Sequence, residues 1–282
     1  MRYYLDTNII YNLRHLQEQV VKNSYTSFLA ILEIVAGIDE RSYFRRRAAL
    51  KSVVDSRLVV DWHTPDMIIF DSFGAYGEFS MSDSRVNKLK DTMLRCVSID
   101  SYLDFLNVQV NNISAVEYFR NIDNDITKKF TCTFPELIPS IKKSALVHTI
   151  TSGDISIDVD FTEAVKADFV NDSQHAMLVK NLATSCQYII GNSGALDKPE
   201  CRFADVINSY NGGANFFICA WLAYELKNIG VGNLPGRNDF QDILHFLYLR
   251  NHLDRKIVSD DGIYIKLAPE YCSTLHALID DR

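Results

Sequence analysis

Features that would assign a protein to a specialised class are missing from this chain of 282 residues. Its six cysteines include no Cys-x-x-Cys pair and no histidine partner at a zinc-finger spacing, so a small zinc module is not predicted. Scattered cysteines of this kind are typical of buried thiols in a reducing compartment. The longest apolar run, ANFFICAWLAY at 214–224, is too short to span a bilayer and predicts a buried helix.

An excess of positive charge is also missing. The chain has 29 Lys and Arg against 36 Asp and Glu, which gives a net charge of -7 and excludes a polybasic nucleic-acid binder. Any polyanion that it binds must meet a local basic patch or bound cations. Asp6 interrupts the apolar start of the chain, so a secretory signal is not predicted. We expect a cytoplasmic protein with no membrane partner.

The segments that are present alternate between strand-like and helical patterns. The strand-like segments are RYYL at 2–5, RLVVDW at 57–62, DISIDVDF at 154–161 and KIVS at 256–259. The segment SYTSFLAILEIVAGI at 24–38 carries apolar residues at helical spacing, and Ser27 is a plausible N-cap for it. The segment 41–56, RSYFRRRAALKSVVDS, predicts a strongly basic helix.

Carboxylates follow two of the strand-like segments. Asp6 comes directly after the first, and Asp260 and Asp261 come after the last. One interpretation is that each strand delivers a carboxylate to the carboxyl end of a sheet, where open α/β folds bind ligands. The simpler alternatives are a helix cap at Asp6 and turn residues at the other two positions.

Two further acids lie in predicted helices. Glu33 has apolar neighbours in ILEIVAG, an odd place for a solvated acid, because a buried carboxylate must be paired, hydrogen-bonded or bound to metal. Asp239 and Asp242 begin a helix for which Asn238 is the predicted cap, with Gln241 completing a capping box. The alternatives are a solvated Glu33 and first-turn acids favoured by the helix dipole.

Together, the acids Asp6, Glu33, Asp242 and Asp261 suit a hard divalent cation such as Mg²⁺ or Mn²⁺. Such a site can bind phosphate oxygens, activate a water and stabilise a leaving oxygen. Bound cations would also offset the repulsion between an acidic protein and a polyanionic substrate.

The order and spacing of four segments resemble the PIN-domain nucleases. The segments are YYLDTNII, SYTSFLAILEIVAG, RNDFQDILHFLYL and KIVSDDGIY, and they carry Asp6, Glu33, Asp242 and Asp261 in turn. The resemblance implies a PIN-like three-layer α/β fold with a parallel sheet flanked by helices. It implies cleavage of single-stranded RNA that depends on Mg²⁺ or Mn²⁺. The four acids would be catalytic and metal-binding, with Asp239 and Asp260 as adjacent metal candidates.

The resemblance covers residues 1–74 and 206–282, about half the chain, which we expect to form one nuclease core. Residues 75–205 have little counterpart in compact members of the family, and we expect a mainly helical inserted lobe there. The resemblance implies that Thr7 and Asn8 position Asp6 and the attacking water or metal.

Several supporting positions and alternative functions remain open. His245 shares a helix face with Asp242 and either supports the site, as Asn238 would, or packs as an ordinary histidine. Arg45, Arg46 and Arg47 are candidate contacts to single-stranded or structured RNA, with a solvated helix face as the alternative.

Other candidate functions are a flap or single-stranded DNA nuclease and a non-catalytic PIN-like interaction module. A phosphatase is weaker, since it would need a second Asp at position 8. A protein partner or homo-oligomer is possible.

Overall fold

The computed structural model describes residues 1–73, 84–126, 179–183, 208–225, 227, 236 and 238–280. Its main sheet contains β1 Arg2–Leu5, β2 Ser24–Ser27, β3 Val59–Asp61, β6 Arg255–Val258 and β7 Cys272–Ser273. The strand order is β3-β2-β1-β6-β7, and every pairing is parallel. A separate antiparallel hairpin joins β4 Gln109–Val110 to β5 Ile113–Ser114. The described chain is therefore an α/β protein built on a parallel sheet, as predicted.

Helices flank this sheet. In chain order they are α1 Thr7–Ile10, α2 Glu18–Lys22, α3 Phe28–Ala36, α4 Tyr43–Asp55, α5 Pro65–Asp71, α6 Ser84–Ser98, α7 Tyr102–Leu106, α8 Asn215–Tyr224, α9 Asp239–Leu244, α10 Gly262–Leu267 and α11 Leu275–Asp280. Residues 115–126 and 179–183 are also helical. Short 3₁₀ helices span Leu13–His15, His245–Leu249 and Pro269–Tyr271.

Strand β1 occupies the centre of the sheet. Tyr4 is paired with Tyr25 of β2 on one side and with Ile257 of β6 on the other. Tyr4 and Leu5 are completely buried, as expected for aromatic and aliphatic residues in a central strand. Because β1 is central and parallel to its neighbours, the residue after it, Asp6, lies in the middle of the carboxyl edge.

Strand β2 was not predicted. Its four residues, SYTS, stand where the sequence suggested only the polar entry to a helix, yet all four are buried. The Thr26 hydroxyl donates to the Leu5 carbonyl oxygen over 2.9 Å, which satisfies one buried polar group. Ser27 ends the strand and caps α3, because its Oγ accepts from the Ala30 amide over 3.1 Å. The predicted cap is confirmed.

Part of the segment predicted as an inserted lobe packs directly on the core. Helix α6 packs against α3 and α4, and the Tyr43 hydroxyl donates to the Ile99 carbonyl oxygen over 2.8 Å. Farther along, Arg120 donates to the Ile38 carbonyl oxygen over 2.9 Å. Residues 127–178 and 184–207 lie outside the described residues, so the division into core and lobe stays a prediction.

The apolar run near residue 214 forms α8, in which every residue except Trp221 is buried. The predicted buried helix is confirmed. Across the described ranges, the structure contains no helix that is both long enough and apolar enough to cross a membrane.

Candidate metal centre

Asp6 lies at the junction between β1 and α1 and is only 5% exposed. It caps α1, since its Oδ1 accepts from the Thr7 amide over 2.7 Å. Its Oδ2 accepts from the Ser259 hydroxyl over 2.8 Å. The cap interpretation therefore describes one oxygen correctly, but a buried carboxylate with one donor on each oxygen keeps lone pairs for a further partner.

Glu33 is the one residue of α3 that is not fully buried. The rest of the helix is apolar and packs into the core, so the position of this side chain is set by its neighbours rather than by solvent. Its Oε2 accepts from the Thr7 hydroxyl, and its Oε1 lies 3.0 Å from Nε2 of His245. The alternative of a freely solvated Glu33 does not describe this environment.

His245 is completely buried at the point where α9 passes into a 3₁₀ helix. Its Nε2 faces the acids, 3.0 Å from Glu33 Oε1 and 3.7 Å from Asp6 Oδ1. Its Nδ1 is hydrogen-bonded to the Tyr4 hydroxyl, which in turn lies 2.7 Å from Ser27 Oγ. The imidazole therefore connects the carboxylates to a buried hydroxyl pair beneath them.

Asp242 lies close enough to the other acids to sense their charges. Its pKa is raised from the ordinary 3.8 to about 8, chiefly by burial; His245 opposes this rise, and the charges of Glu33, Asp6 and Asp261 add to it. Burial also raises the pKa of Asp6, opposed by His245 and reinforced by Glu33. The carboxylates thus form one cluster whose negative charges are incompletely compensated.

The cluster has a donor set that fits a divalent cation. Asp6, Glu33 and His245 each offer one ligand atom, and these three atoms lie within 4.8 Å of one another. Burial lowers the pKa of His245, but the nearby charges of Glu33 and Asp6 outweigh burial and raise it. Two carboxylates and an imidazole are common ligands of divalent metals, and the excess negative charge at this position favours a cation.

A buried hydroxyl next to the cluster is a further polar group that a bound ligand would contact. Tyr264 is completely buried, and among the described residues its hydroxyl has no hydrogen-bond partner. Burial raises the pKa of Tyr264, and the charges of Asp6, Asp242 and Glu33 raise it further, so the hydroxyl lies near these acids. A buried polar group without a partner is costly unless a ligand or water completes its bonding.

The acids after β6 lie outside this buried cluster. Asp261 is exposed and caps α10, since its Oδ1 accepts from the Ile263 amide over 3.1 Å. Asp260 is exposed, and its Oδ1 accepts from the Leu275 amide over 3.0 Å at the start of α11. Asp261 is still near enough for its charge to act on Asp242. The metal-binding roles predicted for both acids remain predictions.

The Asp239 side chain also makes its hydrogen bonds outside the buried cluster. Its Oδ2 accepts from the Tyr224 hydroxyl over 2.5 Å and from the Gly236 amide over 2.8 Å. Asn238 occupies the position before α9, but its side chain makes no capping hydrogen bond. Gln241 donates instead to Asp123 over 2.5 Å. The predicted capping box therefore lacks the hydrogen bond of its cap residue, and the side-chain cap predicted at Asn238 is wrong.

The Asn8 side chain connects the start of α1 to the loop after β6, whereas the Thr7 hydroxyl donates to Glu33. Asn8 Nδ2 donates to Ser259 Oγ over 2.9 Å, and Asn8 Oδ1 accepts from the Asp260 amide over 3.3 Å. Ser259 Oγ also accepts from the Asp261 amide over 3.0 Å while it donates to Asp6. Ser259 is not among the predicted site residues, although its position directly after β6 matches that of Asp6 after β1.

The three arginines of α4 differ in their surroundings. Arg46 donates to the carbonyl oxygens of Glu33 and Ile34, each over 3.0 Å. Arg47 donates to the Val97 carbonyl oxygen over 2.9 Å and binds the Asp100 carboxylate over 2.5 Å. Arg45 is exposed, with its guanidinium 4.5 Å from the centre of the Tyr11 ring. Of the three, Arg45 presents its charge most openly to solvent.

Comparison with known proteins adds no assignment. No protein-family model, curated protein or solved structure matches this chain. The function must therefore be inferred from the residues and their geometry.

Proposed function

We propose that this protein is a metal-dependent endonuclease that hydrolyses phosphodiester bonds in single-stranded RNA. The observation that carries the proposal is the convergence of Asp6, Glu33 and His245 within 4.8 Å at the carboxyl edge of a parallel sheet, with Asp242 beside them. We further assign a PIN-like three-layer core, since the four acid-bearing segments resemble that family. Residues 75–205 would then be the mainly helical insertion.

In this proposal, Asp6, Glu33 and His245 would hold Mg²⁺ or Mn²⁺. The chemistry that such an ion supplies is polarisation of a phosphate oxygen and activation of a water for in-line attack. Thr7 and Ser259 hold the carboxylates of Glu33 and Asp6 in place through the hydrogen bonds described above. Fixed ligands lower the cost of organising the site for reaction.

Asp242 has a separate role in the proposal. No described residue donates a hydrogen bond to its carboxylate, and a pKa of about 8 makes the ionised form a better proton acceptor than an ordinary aspartate. We assign it to orient the attacking water and to receive its proton at a carboxylate oxygen. Asp261 adds negative charge at the rim and can help to hold a second cation.

The substrate assignment rests on charge and on the family resemblance. A protein with a net charge of -7 needs local cations to bind a polyphosphate, and the metal centre supplies them. Arg45, exposed over Tyr11, is the arginine of α4 that we assign to the RNA backbone. Buried free thiols at Cys96, Cys219 and Cys272 are consistent with our placement of the protein in the cytoplasm.

The test is incubation with end-labelled single-stranded RNA and Mn²⁺ or Mg²⁺, with a matched single-stranded DNA in parallel. We expect RNA fragments with 5′-phosphate and 3′-hydroxyl ends, because water is the nucleophile. Cleavage that persists in EDTA, or products with cyclic phosphates, would contradict the mechanism. Preferential cleavage of the DNA would replace RNA with DNA as the substrate. Absence of cleavage of both would favour a non-catalytic module.

A further inference from the structure

The environment of His245 sets it apart from a histidine that only balances charge. Its two ring nitrogens have different partners: Nε2 faces Glu33 and Asp6, and Nδ1 faces the Tyr4 hydroxyl. Metal-binding histidines usually donate the N–H of the second nitrogen to an oxygen, which fixes the ring and leaves the first nitrogen for the metal. Tyr4 supplies such an oxygen here, and its own hydroxyl can donate to Ser27 Oγ over 2.7 Å.

The separations between donor atoms also fit ligation. Two ligands that each lie about 2.1 Å from one ion are about 3.0 Å apart at a right angle and about 3.4 Å apart at a tetrahedral angle. His245 Nε2 is 3.0 Å from Glu33 Oε1 and 3.7 Å from Asp6 Oδ1. The donors therefore need only small movements to bind a common ion.

We propose that His245 is a nitrogen ligand of the metal centre, that Tyr4 positions its ring, and that the centre therefore binds Mn²⁺ in preference to Mg²⁺. Mg²⁺ takes oxygen ligands and gives up its waters reluctantly, whereas an imidazole raises affinity for first-row transition-metal dications. Binding requires Nε2 without hydrogen, so the remaining ring proton is on Nδ1, where the Tyr4 oxygen accepts it. The Nε2 proton leaves to solvent.

The His245 ring is packed among aromatic side chains. His245 is completely buried, with its ring centre 5.7 Å from that of Tyr4 and 6.4 Å from that of Tyr264. Among the described residues, the buried Tyr264 hydroxyl has no hydrogen-bond partner, and the charges of Asp6, Asp242 and Glu33 act on it. The inference rests on the metal centre of the proposed function but does not require nuclease activity.

The test is Mn²⁺ binding to tag-free protein, followed by pulsed paramagnetic resonance. Wild-type protein should show a nitrogen coupling to Mn²⁺, and this coupling should change when the histidines carry ¹⁵N. Competition should show an affinity for Mn²⁺ at least about tenfold above that for Mg²⁺. The isotope experiment uses only the wild-type chain, so it does not depend on whether a variant folds.

Two variants assign the coupling. His245→Gln should remove it and reduce the preference for Mn²⁺. Tyr4→Phe keeps the ring and should weaken Mn²⁺ binding about 10- to 100-fold, the usual effect of losing such an outer hydrogen bond. Tyr25→Phe is the matched control, because it removes a buried hydroxyl that donates to the Tyr248 carbonyl oxygen and does not bond His245. It should leave the coupling unchanged.

The outcomes separate this inference from the proposed function. Bound Mn²⁺ without a nitrogen coupling would overturn the role of His245 and leave an all-carboxylate centre. A nitrogen coupling in a protein that cleaves no nucleic acid would support the inference and reject the nuclease. Folded wild-type protein that binds no Mn²⁺ would overturn both. Equal loss in Tyr4→Phe and Tyr25→Phe would show a general packing effect and reject Tyr4 as the positioning residue.

Discussion

The ends of β1 and β6 lie side by side at one edge of the sheet, yet the acids that follow them have different surroundings. Leu5 is paired with Val258, so Asp6 and Asp260 leave neighbouring strands at nearly the same level. Asp6 is 5% exposed and contacts Ser259 and Thr7, whereas Asp260 is exposed and caps a helix. A carboxylate after a strand thus joins the buried cluster only where neighbouring elements cover it.

Glu33 and His245 account for the different surroundings of Asp6 at the end of β1. Helix α3 and the 3₁₀ helix bring these side chains over the end of the central strand, where the acids cannot all be solvated. After β6, the carboxylates of Asp261 and Asp260 instead accept hydrogen bonds from backbone amides at the starts of α10 and α11. The account therefore predicts strong functional effects at the first strand end and weak ones at the second.

The largest effect should come from Asp6→Asn, compared with Asp260→Asn. The first change keeps the shape and removes one metal-binding charge, so cleavage should fall by at least about a hundredfold. The second should change cleavage by less than about threefold. The measurement is the rate of cleavage under saturating metal, together with RNA affinity in EDTA.

RNA binding by Asp6→Asn should survive and can improve without metal, since one repulsive charge is gone. Joint loss of binding and folding would instead make Asp6 a structural cap. Equal losses of cleavage in the two variants would remove the distinction between the strand ends.

A second effect, of about a hundredfold, is expected for Asp242→Asn, because the carboxylate that receives a proton is lost. Asp239→Asn is its control on the same helix and should keep substantial activity, since Asp239 bonds Tyr224 and Gly236 outside the cluster. The reverse order of the two variants would show that the functional face of α9 is misassigned.

Asp242→Asn should also stabilise the metal-free protein. The pKa of Asp242 is raised by burial from 3.8 to about 8, so the folded state binds this proton more tightly than the unfolded state. Stability is therefore lost as pH rises from about 4 to about 8, and the variant should avoid that loss. We expect a gain of about 1–3 kcal/mol at pH 8 and little at pH 4.

Urea unfolding in EDTA at both pH values measures this difference. A variant that is less stable than wild type at pH 8 would contradict the raised pKa and would indicate that the carboxylate makes a stabilising interaction.

The smallest expected effect is on RNA affinity, and it concerns the arginine of α4 that we assign to the RNA backbone. Arg45→Gln should lower RNA affinity a few-fold and reduce its dependence on salt, because one exposed cation is lost. Arg47→Gln should reduce stability instead, since Arg47 binds the Val97 carbonyl oxygen and Asp100. Binding titrations of both variants at two salt concentrations measure the difference in RNA affinity. An unchanged salt dependence for Arg45→Gln would exclude Arg45 from the RNA interface.

Parts of this arrangement were predictable from sequence. Tyr and Leu residues before Asp6 predict β1, and an acid between apolar residues correctly indicates that Glu33 has partners. Strand β2 was missed because SYTS lacks an alternating apolar pattern, and its burial comes from its place between two other strands. Its polar groups are satisfied by contacts distant in sequence, such as Thr26 to Leu5.

The complete burial of His245 was not predictable for a related reason. The helical periodicity used to place it breaks at this residue, where α9 becomes a 3₁₀ helix. Its partners Tyr4 and Glu33 are 241 and 212 residues away in the chain. Arg46 and Arg47 were likewise read as surface charges, although their guanidinium groups bind carbonyl oxygens at the ends of α3 and α6.

The most direct test of the metal centre is a crystal of the wild-type protein grown with Mn²⁺ and measured at a wavelength where manganese scatters anomalously. The account predicts an anomalous peak at the end of β1, within bonding distance of Asp6, Glu33 and His245. A peak held only by Asp260, Asp261 or Asp239, or an ordered cluster with no peak in crystals saturated with Mn²⁺, would contradict it.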